Sequence, residues 1–338
     1  MPPVNSSSAS EASLRLNYIL GQDAYGASTE VSLRATEFPI PDLAVGRLVE
    51  TAAEATSMLD AYLDFTDAGV VATPTTSLVT GYDFLEDAAN AVADEFRDGT
   101  GHPVNTLIAP NNISPRDPAA WTADQLRAEL LGSRHDLIYL AGHFSANSAL
   151  AADFATSVLT TELTASPVDL RNVIVLSAGC HSGYNIVDGH AVAGVTQVLD
   201  WPQAFARKQA TLVAGTGYQY GDTDFIEYSE RIYAELAHQL RRGNGPVSIG
   251  AALAEAKRVY LRETPDIRGL HEKALLEATL FGLPMLSVDP SRPRAGSSTR
   301  RPAPTSSPPA TPRTRVLAWR SAAPTSRSTS RWSRRRWS

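Results

Sequence analysis

Short apolar runs alternate along this chain with longer amphipathic segments. Glycine, serine, asparagine or aspartate flanks most of the runs, a pattern that is typical of buried strands. The runs predict strands over residues 43–46, 77–81, 105–109, 136–142, 172–179 and 210–216.

The amphipathic segments predict helices over residues 51–65, 83–97, 122–131, 224–242 and 246–262. One segment carries five apolar residues at helical spacing on one face, which we expect in the core: Phe225, Tyr228, Ile232, Leu236 and Leu240. Strands that are apolar on both faces and alternate with helices favour a mainly parallel sheet covered by helices. The predicted fold class is therefore α/β, with three layers in the order α/β/α.

The chain has one cysteine, Cys180, which follows the apolar run 172–179. A second run of the same form, 136–142, is followed by His143. Because the carboxyl ends of neighbouring parallel strands meet at one crevice, Cys180 and His143 are expected to lie close together. A thiol beside an imidazole base is the arrangement of a cysteine nucleophile.

Other interpretations of these residues stay open in the sequence. A lone cysteine is usually a small buried apolar residue. His181, next to Cys180, is a second candidate base, but neighbouring side chains at a strand end point in opposite directions, so His143 is favoured. The small residues two positions before and after Cys180 also fit the nucleophile elbow of an α/β-hydrolase, in which His271 would be the base.

An apolar strand ending in Gly-His, followed by one ending in Ala-Gly-Cys, resembles the gingipain-like cysteine peptidases of the caspase fold. Further segments carry the same resemblance: Ile40-Pro-Asp-Leu-Ala-Val-Gly-Arg47, the strand 77–81, and Phe281-Gly-Leu-Pro-Met-Leu-Ser287. The similarity covers about residues 17–288. It implies a caspase-like, mainly parallel sheet between helices, and peptide-bond hydrolysis through Cys180 and His143.

The resemblance also implies roles for residues around this pair. Related enzymes often use a third carboxyl group to orient the imidazole, and Asp83 stands at the corresponding strand end, where it could instead cap a helix. The oxyanion hole is expected at the backbone N–H groups of Cys180 and Phe144. Here Phe144 replaces the glycine that usually follows the catalytic histidine, and a position that needed positive φ would be strained by phenylalanine.

In the related peptidases, the segment after the strand 210–216 lines the pocket for the residue that precedes the scissile bond. Tyr218, Tyr220 and Asp222 are therefore candidates for substrate binding, and a carboxylate there would favour a basic side chain. The competing interpretation is that Asp222 or Asp224 caps the following helix.

Three functions are consistent with the sequence: a cysteine endopeptidase, a catalytically degenerate caspase-like interaction module, and an α/β-hydrolase with a cysteine nucleophile. Chain order favours the first over the third, because in the α/β-hydrolases the histidine follows the nucleophile. A peptide or protein substrate is the expected partner. No cofactor is expected, and a single cysteine without a Cys-x-x-Cys or His-Glu-x-x-His pattern argues against a metal site.

Charge divides the chain into two unlike parts. Residues 291–338 contain 12 Arg and no Lys, Asp or Glu, while the remaining 290 residues carry 18 basic and 36 acidic side chains, a net charge of −18. The Arg/Ser/Pro-rich segment lacks apolar periodicity and is expected to be disordered. Two interpretations of it stay open: an arm that neutralises phosphates, or the product of a frameshift in a GC-rich gene. The acidic body is not expected to bind nucleic acid.

We predict four regions: a polar segment 1–16, part of an N-terminal subdomain 17–66, a caspase-like catalytic domain 67–288, and the disordered tail 289–338. Met1 to Ser13 lacks the features of a signal peptide, and no apolar run is long enough to span a membrane. The family resemblance implies secretion as part of a longer precursor.

Overall fold

The strands and helices follow the predicted alternation. The computed structural model describes residues 19–33, 36–64, 70–71, 73–114, 117–186, 199–242, 245–267 and 269–289. Within these ranges the strands are β1 (Thr29–Leu33), β2 (Thr36–Ile40), β3 (Val70–Val71), β4 (Ser77–Gly81), β5 (Asn105–Ile108), β6 (Leu137–Leu140), β7 (Ser148–Leu150), β8 (Ser157–Leu159), β9 (Ile174–Ser177), β10 (Thr211–Gly215), β11 (Val247–Ser248), β12 (Ala278–Phe281) and β13 (Ser287–Val288). The α-helices are α1 (Ala52–Leu63), α2 (Glu86–Thr100), α3 (Ala123–Leu130), α4 (Thr160–Ala165), α5 (Trp201–Arg207), α6 (Tyr228–Leu240), α7 (Ile249–Glu263) and α8 (Gly269–Glu277).

The central sheet has six strands in the order β12-β10-β9-β6-β4-β5. Five of them run parallel, and β12 at one edge pairs antiparallel with β10. The connection from β6 to β9 carries a short antiparallel hairpin, β7 with β8, directly after His143. The prediction of a mainly parallel sheet is confirmed.

Two hydrophobic cores lie on the two faces of this sheet. In β6, Leu137 and Tyr139 face the core formed with α2, α6 and α7, whereas Ile138 and Leu140 face the core formed with α1, α3 and α5. Successive side chains of a strand point to opposite faces, so a strand that is apolar throughout serves both cores. This alternation produces the three-layer arrangement.

Capping residues set the beginnings of two helices close to the predicted places. The Thr51 side chain accepts from the Glu54 N–H at 3.2 Å, and Glu54 returns a contact to the Thr51 N–H at 3.0 Å. Thr122 and Gln125 form the same kind of box before α3. Such caps satisfy backbone donors that the first helical turn leaves without partners.

Some predictions at the element boundaries are wrong. No strand forms over residues 43–46, and only Arg47 makes a single bridge to Phe281 beside the edge strand β12. Leu43 is 69% exposed, so the apolar run does not mark a buried strand here. Phe225 is also not part of the core, because it is 57% exposed in the loop before α6.

Several shorter elements were not predicted. At the edge of the central sheet, the unpredicted elements are β12 and the preceding helix α8. Their apolar residues follow one another without a glycine or proline to mark the boundary, so the pattern gives no sign of a change from helix to strand. No helix in the described ranges is both long and apolar enough to cross a membrane. Residues 1–16 and 290–338 lie outside the described part.

Residues 19–63 pack onto the parallel sheet and its helices. The Gln22 side chain accepts the Leu280 N–H at 3.0 Å, and the Asn172 side chain donates to the Ala61 carbonyl at 2.8 Å. A buried ion pair makes the strongest of these attachments. The ammonium of Lys257 on α7 lies 2.7 Å from both carboxylate oxygens of Asp23 and 2.7 Å from the Ala278 carbonyl.

The Lys257–Asp23 pair is expected to be essential for stability because both groups are almost fully buried, at 1% and 3% exposure. Burial raises the pKa of Asp23 even beside the ammonium. Replacing Lys257 by Met leaves a buried carboxylate without its partner and should lower the free energy of unfolding by about 3–5 kcal/mol. Urea denaturation at pH 7 measures this loss.

Arg262→Met is the matched control, because Arg262 lies on the same helix, is 61% exposed and makes only long ion pairs of 3.9 Å. Arg262→Met should lower the free energy of unfolding by less than about 1 kcal/mol. A similar small loss for Lys257→Met would contradict the role given to the buried pair.

Candidate active site

The candidate catalytic residues stand at the carboxyl ends of adjacent parallel strands. In the pairing of β6 with β9, Leu137 lies opposite Ile174 and Leu140 lies opposite Ser177, a constant offset of 37 residues. The hydrogen bond from the Ala178 N–H to the Leu140 carbonyl, 2.9 Å long, continues this pairing beyond the strands. The same offset relates His143 to Cys180, so the two residues follow paired positions.

A turn after β9 holds Cys180 beside the end of β10. The N–H of His181 donates to the Gly217 carbonyl at 2.7 Å, and the N–H of Gly183 donates to the Gly215 carbonyl at 2.8 Å. The Cys180 Sγ atom lies 3.8 Å from the Gln219 carbonyl oxygen. The thiol is therefore fixed by backbone contacts with the segment after β10.

Burial disfavours the ionised form of the Cys180 thiol. Cys180 is only partly exposed, and burial raises the pKa of its thiol above the ordinary value. The thiol form is therefore favoured in the protein at neutral pH, and a nearby base is needed to produce the thiolate that attacks carbonyl carbon.

Gly142 and Tyr82 position the backbone of His143. Gly142 has a φ of +154°, and a Cβ there would lie 2.4 Å from the Tyr82 ring, so only glycine fits. The fully buried Tyr82 hydroxyl accepts the His143 N–H at 2.9 Å and donates to the Leu150 carbonyl at 2.7 Å. A single tyrosine thus joins β4, the end of β6 and the hairpin after it.

Asp83 contacts the imidazole directly. Its Oδ2 atom lies 3.1 Å from Nε2 of His143, and Asp83 adopts a φ of 58° in a short 3-10 turn before α2. An ionised carboxylate only accepts hydrogen bonds, so Nε2 carries the proton and Nδ1 is the basic nitrogen. Asp83 does not cap α2, whose N-cap residue is Leu85.

Phe144 takes an unstrained backbone conformation. It is absent from the residues with positive φ in the described part of the chain, so replacing the family's glycine causes no strain there. Its ring lies on Gly179, where a Cβ would be only 2.2 Å from the ring, and packs against Trp201 with ring centres 5.7 Å apart. The side chain thus fastens the His143 strand end to the Cys180 turn.

Tyr218 and Tyr220 both contact the ammonium group of Lys273. The Lys273 ammonium lies 5.7 Å from the centre of the Tyr218 ring and 4.8 Å from that of Tyr220, and it donates to the Tyr220 hydroxyl at 2.7 Å. Such cation–π contacts order the two rings. They hold the segment after β10 against α8.

Asp222 lies in a turn rather than at a helix cap. Its Oδ1 accepts the Asp224 N–H at 2.9 Å, and this local bond keeps the backbone out of the helix, which starts at Tyr228 with Glu227 as N-cap. The prediction that Asp222 or Asp224 caps α6 is therefore wrong. The Asp222 N–H donates to buried Glu230 at 3.1 Å, and burial raises the pKa of Glu230 to about 8.

The other histidines near the site have partners elsewhere. His181 packs on Tyr218 with ring centres 4.6 Å apart, and burial together with repulsion from Lys273 lowers its pKa to about 4. His271 contacts the Tyr260 hydroxyl at 2.5 Å in a buried cluster on α8. Among the described residues, no group of three or more His, Cys, Asp or Glu could hold a metal ion.

Sequence reasoning missed several residues that shape this site. Tyr82 directly precedes Asp83 at a strand end, a position that could have drawn attention to it. The backbone carbonyl of Gln219 contacts the Cys180 sulfur, and the pattern of side chains in a sequence does not reveal such a backbone contact. Lys273 comes from a helix distant in the sequence, and Glu230 comes from the helix that directly follows this segment. Only the packing of these helices brings both side chains against the segment after β10.

The sequence matches no protein-family model and no curated protein. Solved structures do match. The complex of the pro- and mature domains of RgpB from Porphyromonas gingivalis superposes with a TM-score of 0.54 and 14% identity, over 79% of this chain and 60% of that chain. The Arg-specific cysteine proteinase gingipain R superposes with a TM-score of 0.54 and 13% identity, over 79% of this chain and 59% of that chain.

The present chain thus spans about 60% of the length of these two proteins. Identity this low shows the fold alone. The chain has the fold of the gingipain-like, caspase-fold cysteine peptidases, as the two strand-end motifs implied.

Proposed function

We propose that this protein is a cysteine endopeptidase that hydrolyses peptide bonds with Cys180 as nucleophile and His143 as base. The observation that carries the proposal is the common register of the two strand ends, together with the Asp83 carboxylate 3.1 Å from Nε2 of His143. This arrangement leaves Nδ1 as the nitrogen that takes the thiol proton. Nucleophile, base and orienting acid are the three parts that such chemistry requires.

In the proposed reaction, Nδ1 of His143 removes the proton from Cys180 as sulfur attacks the peptide carbonyl carbon. The C–N bond then breaks, and His143 gives that proton to the leaving amine. Water, deprotonated by the same imidazole, attacks the thioester carbon and releases the acid product, and the proton returns to sulfur. The raised pKa of the thiol means that proton transfer accompanies attack, since little thiolate exists beforehand.

The oxyanion of the tetrahedral intermediate would be held by the backbone N–H groups of Cys180 and Phe144. Within the described residues, the Phe144 N–H donates to no other group, and the Cys180 N–H contacts the sulfur of its own residue. The bridge between Phe144 and Ala149 leaves the Phe144 N–H unused, because the neighbouring residues Ser145 and His143 make the hydrogen bonds. Free donors aimed at developing negative charge stabilise it strongly.

Asp222 is the proposed partner for a basic residue before the scissile bond, with Tyr218 and Tyr220 as the apolar wall. The segment that bears them is the one whose Gln219 carbonyl contacts the Cys180 sulfur. Glu230 beside Asp222 has its pKa raised to about 8 and is mostly neutral at pH 7, so Asp222 supplies the charge. Gingipain R, which shares this fold, is Arg-specific by description.

A catalytically degenerate interaction module is the second candidate function. Strain at Phe144, which replaces the usual glycine, would argue for this module, but Phe144 is not among the residues with positive φ in the described part of the chain. The α/β-hydrolase alternative needs His271 as the base, and His271 contacts Tyr260 and lies 3.6 Å from Glu227 instead. The endopeptidase is the function that the geometry supports best.

The first prediction concerns the two catalytic side chains. Cys180→Ala and His143→Ala should each abolish hydrolysis of a fluorogenic peptide carrying Arg before the scissile bond, and the double variant should be no worse than either single one. Residues that act as one unit lose their whole effect when one is removed. Initial rates of the purified variants measure this.

His102→Ala is the matched control for His143→Ala, since His102 is exposed in the loop before β5. It should keep the parent rate. Circular dichroism of each variant tests folding. Full turnover by folded Cys180→Ala would refute the thiol mechanism.

The second prediction concerns Asp222. Asp222→Asn should lower the ratio of kcat/KM for an Arg peptide to that for the matching Leu peptide by roughly 10- to 150-fold, because hydrogen bonds to charged groups are worth about 1.5–3 kcal/mol. Asn can still accept the Asp224 N–H, so the turn is retained. Equal rates of the parent on Arg and Leu peptides would eliminate this assignment and leave the catalytic pair untouched.

A further inference from the structure

Phe84 and Phe154 stand beside the imidazole of His143, outside the catalytic chemistry described above. We propose that they form an apolar subsite for the residue that follows the scissile bond, and that the protein prefers an aromatic or large aliphatic side chain there. This inference rests on the proposed endopeptidase function and names the substrate preference on its leaving-group side.

Three aromatic rings surround the imidazole. The centres of the Tyr82, Phe84 and Phe154 rings lie 5.5, 5.9 and 5.7 Å from the centre of the His143 ring. Tyr82 is fully buried and belongs to the scaffold, whereas Phe84 is partly exposed and Phe154 is 39% exposed. Two apolar rings therefore reach the surface next to the candidate base.

Phe154 is held there at a conformational cost. Its φ of 51° lies in the left-handed region, which is unfavourable for a bulky residue. The turn is fixed by Asp153, whose carboxylate accepts from the N–H groups of Ala155 and Thr156 at 3.0 and 2.9 Å and from the Thr156 hydroxyl at 2.7 Å. This turn directs a large apolar ring toward His143 instead of into either main core.

The chemistry decides which side of the substrate meets these rings. The leaving nitrogen takes its proton from His143, so the chain that follows the scissile bond passes beside the imidazole. In the sheet, β9 with Cys180 lies between β10 on one side and β6 on the other. The segment after β10 contacts the Cys180 sulfur and, in the proposed function, binds the residue before the scissile bond. The Phe84 and Phe154 rings lie on the opposite side, where the residue after the scissile bond would bind.

Charge around the rings narrows the preference further. The carboxylates of Asp83 and Asp153 both lie near enough to raise the pKa of the Tyr82 hydroxyl, after the larger effect of its burial. An acidic side chain entering between the same rings would be repelled by both carboxylates. The subsite should therefore accept apolar residues, tolerate glycine poorly and reject glutamate.

The test uses the full chain and quenched peptides that share Arg before the scissile bond and differ only in the next residue, Phe, Gly or Glu. The parent should cleave the Phe peptide roughly 10-fold or more faster than the Gly peptide, as expected for burying an aromatic side chain, and the Glu peptide slowest. Phe154→Gly should reduce the Phe-to-Gly ratio of kcat/KM roughly 10-fold.

Glycine suits positive φ, so Phe154→Gly relieves strain and should fold at least as well as the parent, which a melting curve checks. Phe154→Tyr keeps a ring and should keep the ratio. Leu159→Ala, an exposed apolar residue on β8 of the same hairpin at 41% exposure, should change neither ratio nor rates. If the Phe154 ring merely positioned His143, Phe154→Gly would change kcat/KM for all three peptides by the same factor and leave the Phe-to-Gly ratio intact.

The outcomes separate this inference from the function on which it rests. A parent that cleaves the Phe and Gly peptides at equal rates, or a Phe154→Gly variant with the parent ratio, overturns the subsite and leaves the endopeptidase function standing. A parent that cleaves none of the peptides overturns both.

Discussion

The pairing register of β6 with β9 is the constraint on which the candidate site depends. One offset of 37 residues runs through the whole pairing and relates His143 to Cys180. A slip by one residue would turn every side chain of one strand to the opposite face, exchanging residues between the two cores and moving Cys180 and His143 out of paired positions. The register is in turn fixed by burial, because Tyr139 must face one core and Leu140 the other. Packing of the interior therefore determines the chemistry at the surface.

Beyond the register, the conformation of the loops at the strand ends depends on a few residues whose type is fixed by close contacts. Gly142 must be glycine because the Tyr82 ring occupies the space of a Cβ, and Gly179 must be glycine because the Phe144 ring does. The Tyr82 hydroxyl satisfies a donor and an acceptor from two different segments. Groups positioned in this way would need little rearrangement in the proposed reaction. Burial raises the pKa of the Cys180 thiol, so the proposed mechanism assigns its activation to His143.

The sequence predicted the architecture where periodicity carried the information. The strand Ser77–Gly81 has the predicted bounds, and the apolar runs before His143 and Cys180 are adjacent parallel strands. Prediction failed where local turns and exposure override periodicity: residues 43–46 make no strand, and α6 begins only at Tyr228, after a turn in which Asp222 accepts the Asp224 N–H. The cation against Tyr218 and Tyr220 comes from Lys273, which no local pattern connects to them. Strand ends can be read from a sequence, but the groups that surround them come from elements that meet only in the folded chain.

The measurement that tests this account most directly is covalent labelling of the chain's single thiol. A peptidyl acyloxymethyl ketone with Arg at the first position requires both the nucleophile and its base, whereas iodoacetamide added to the protein denatured in urea requires only an intact thiol. Intact mass should show one label per parent molecule, on Cys180, and labelling of His143→Ala should be at least about 100-fold slower, within the range by which general bases accelerate such steps. Iodoacetamide should modify the two denatured proteins at comparable rates, which shows that both carry an intact thiol. Equal ketone labelling of the parent and His143→Ala would contradict the central claim that His143 activates Cys180.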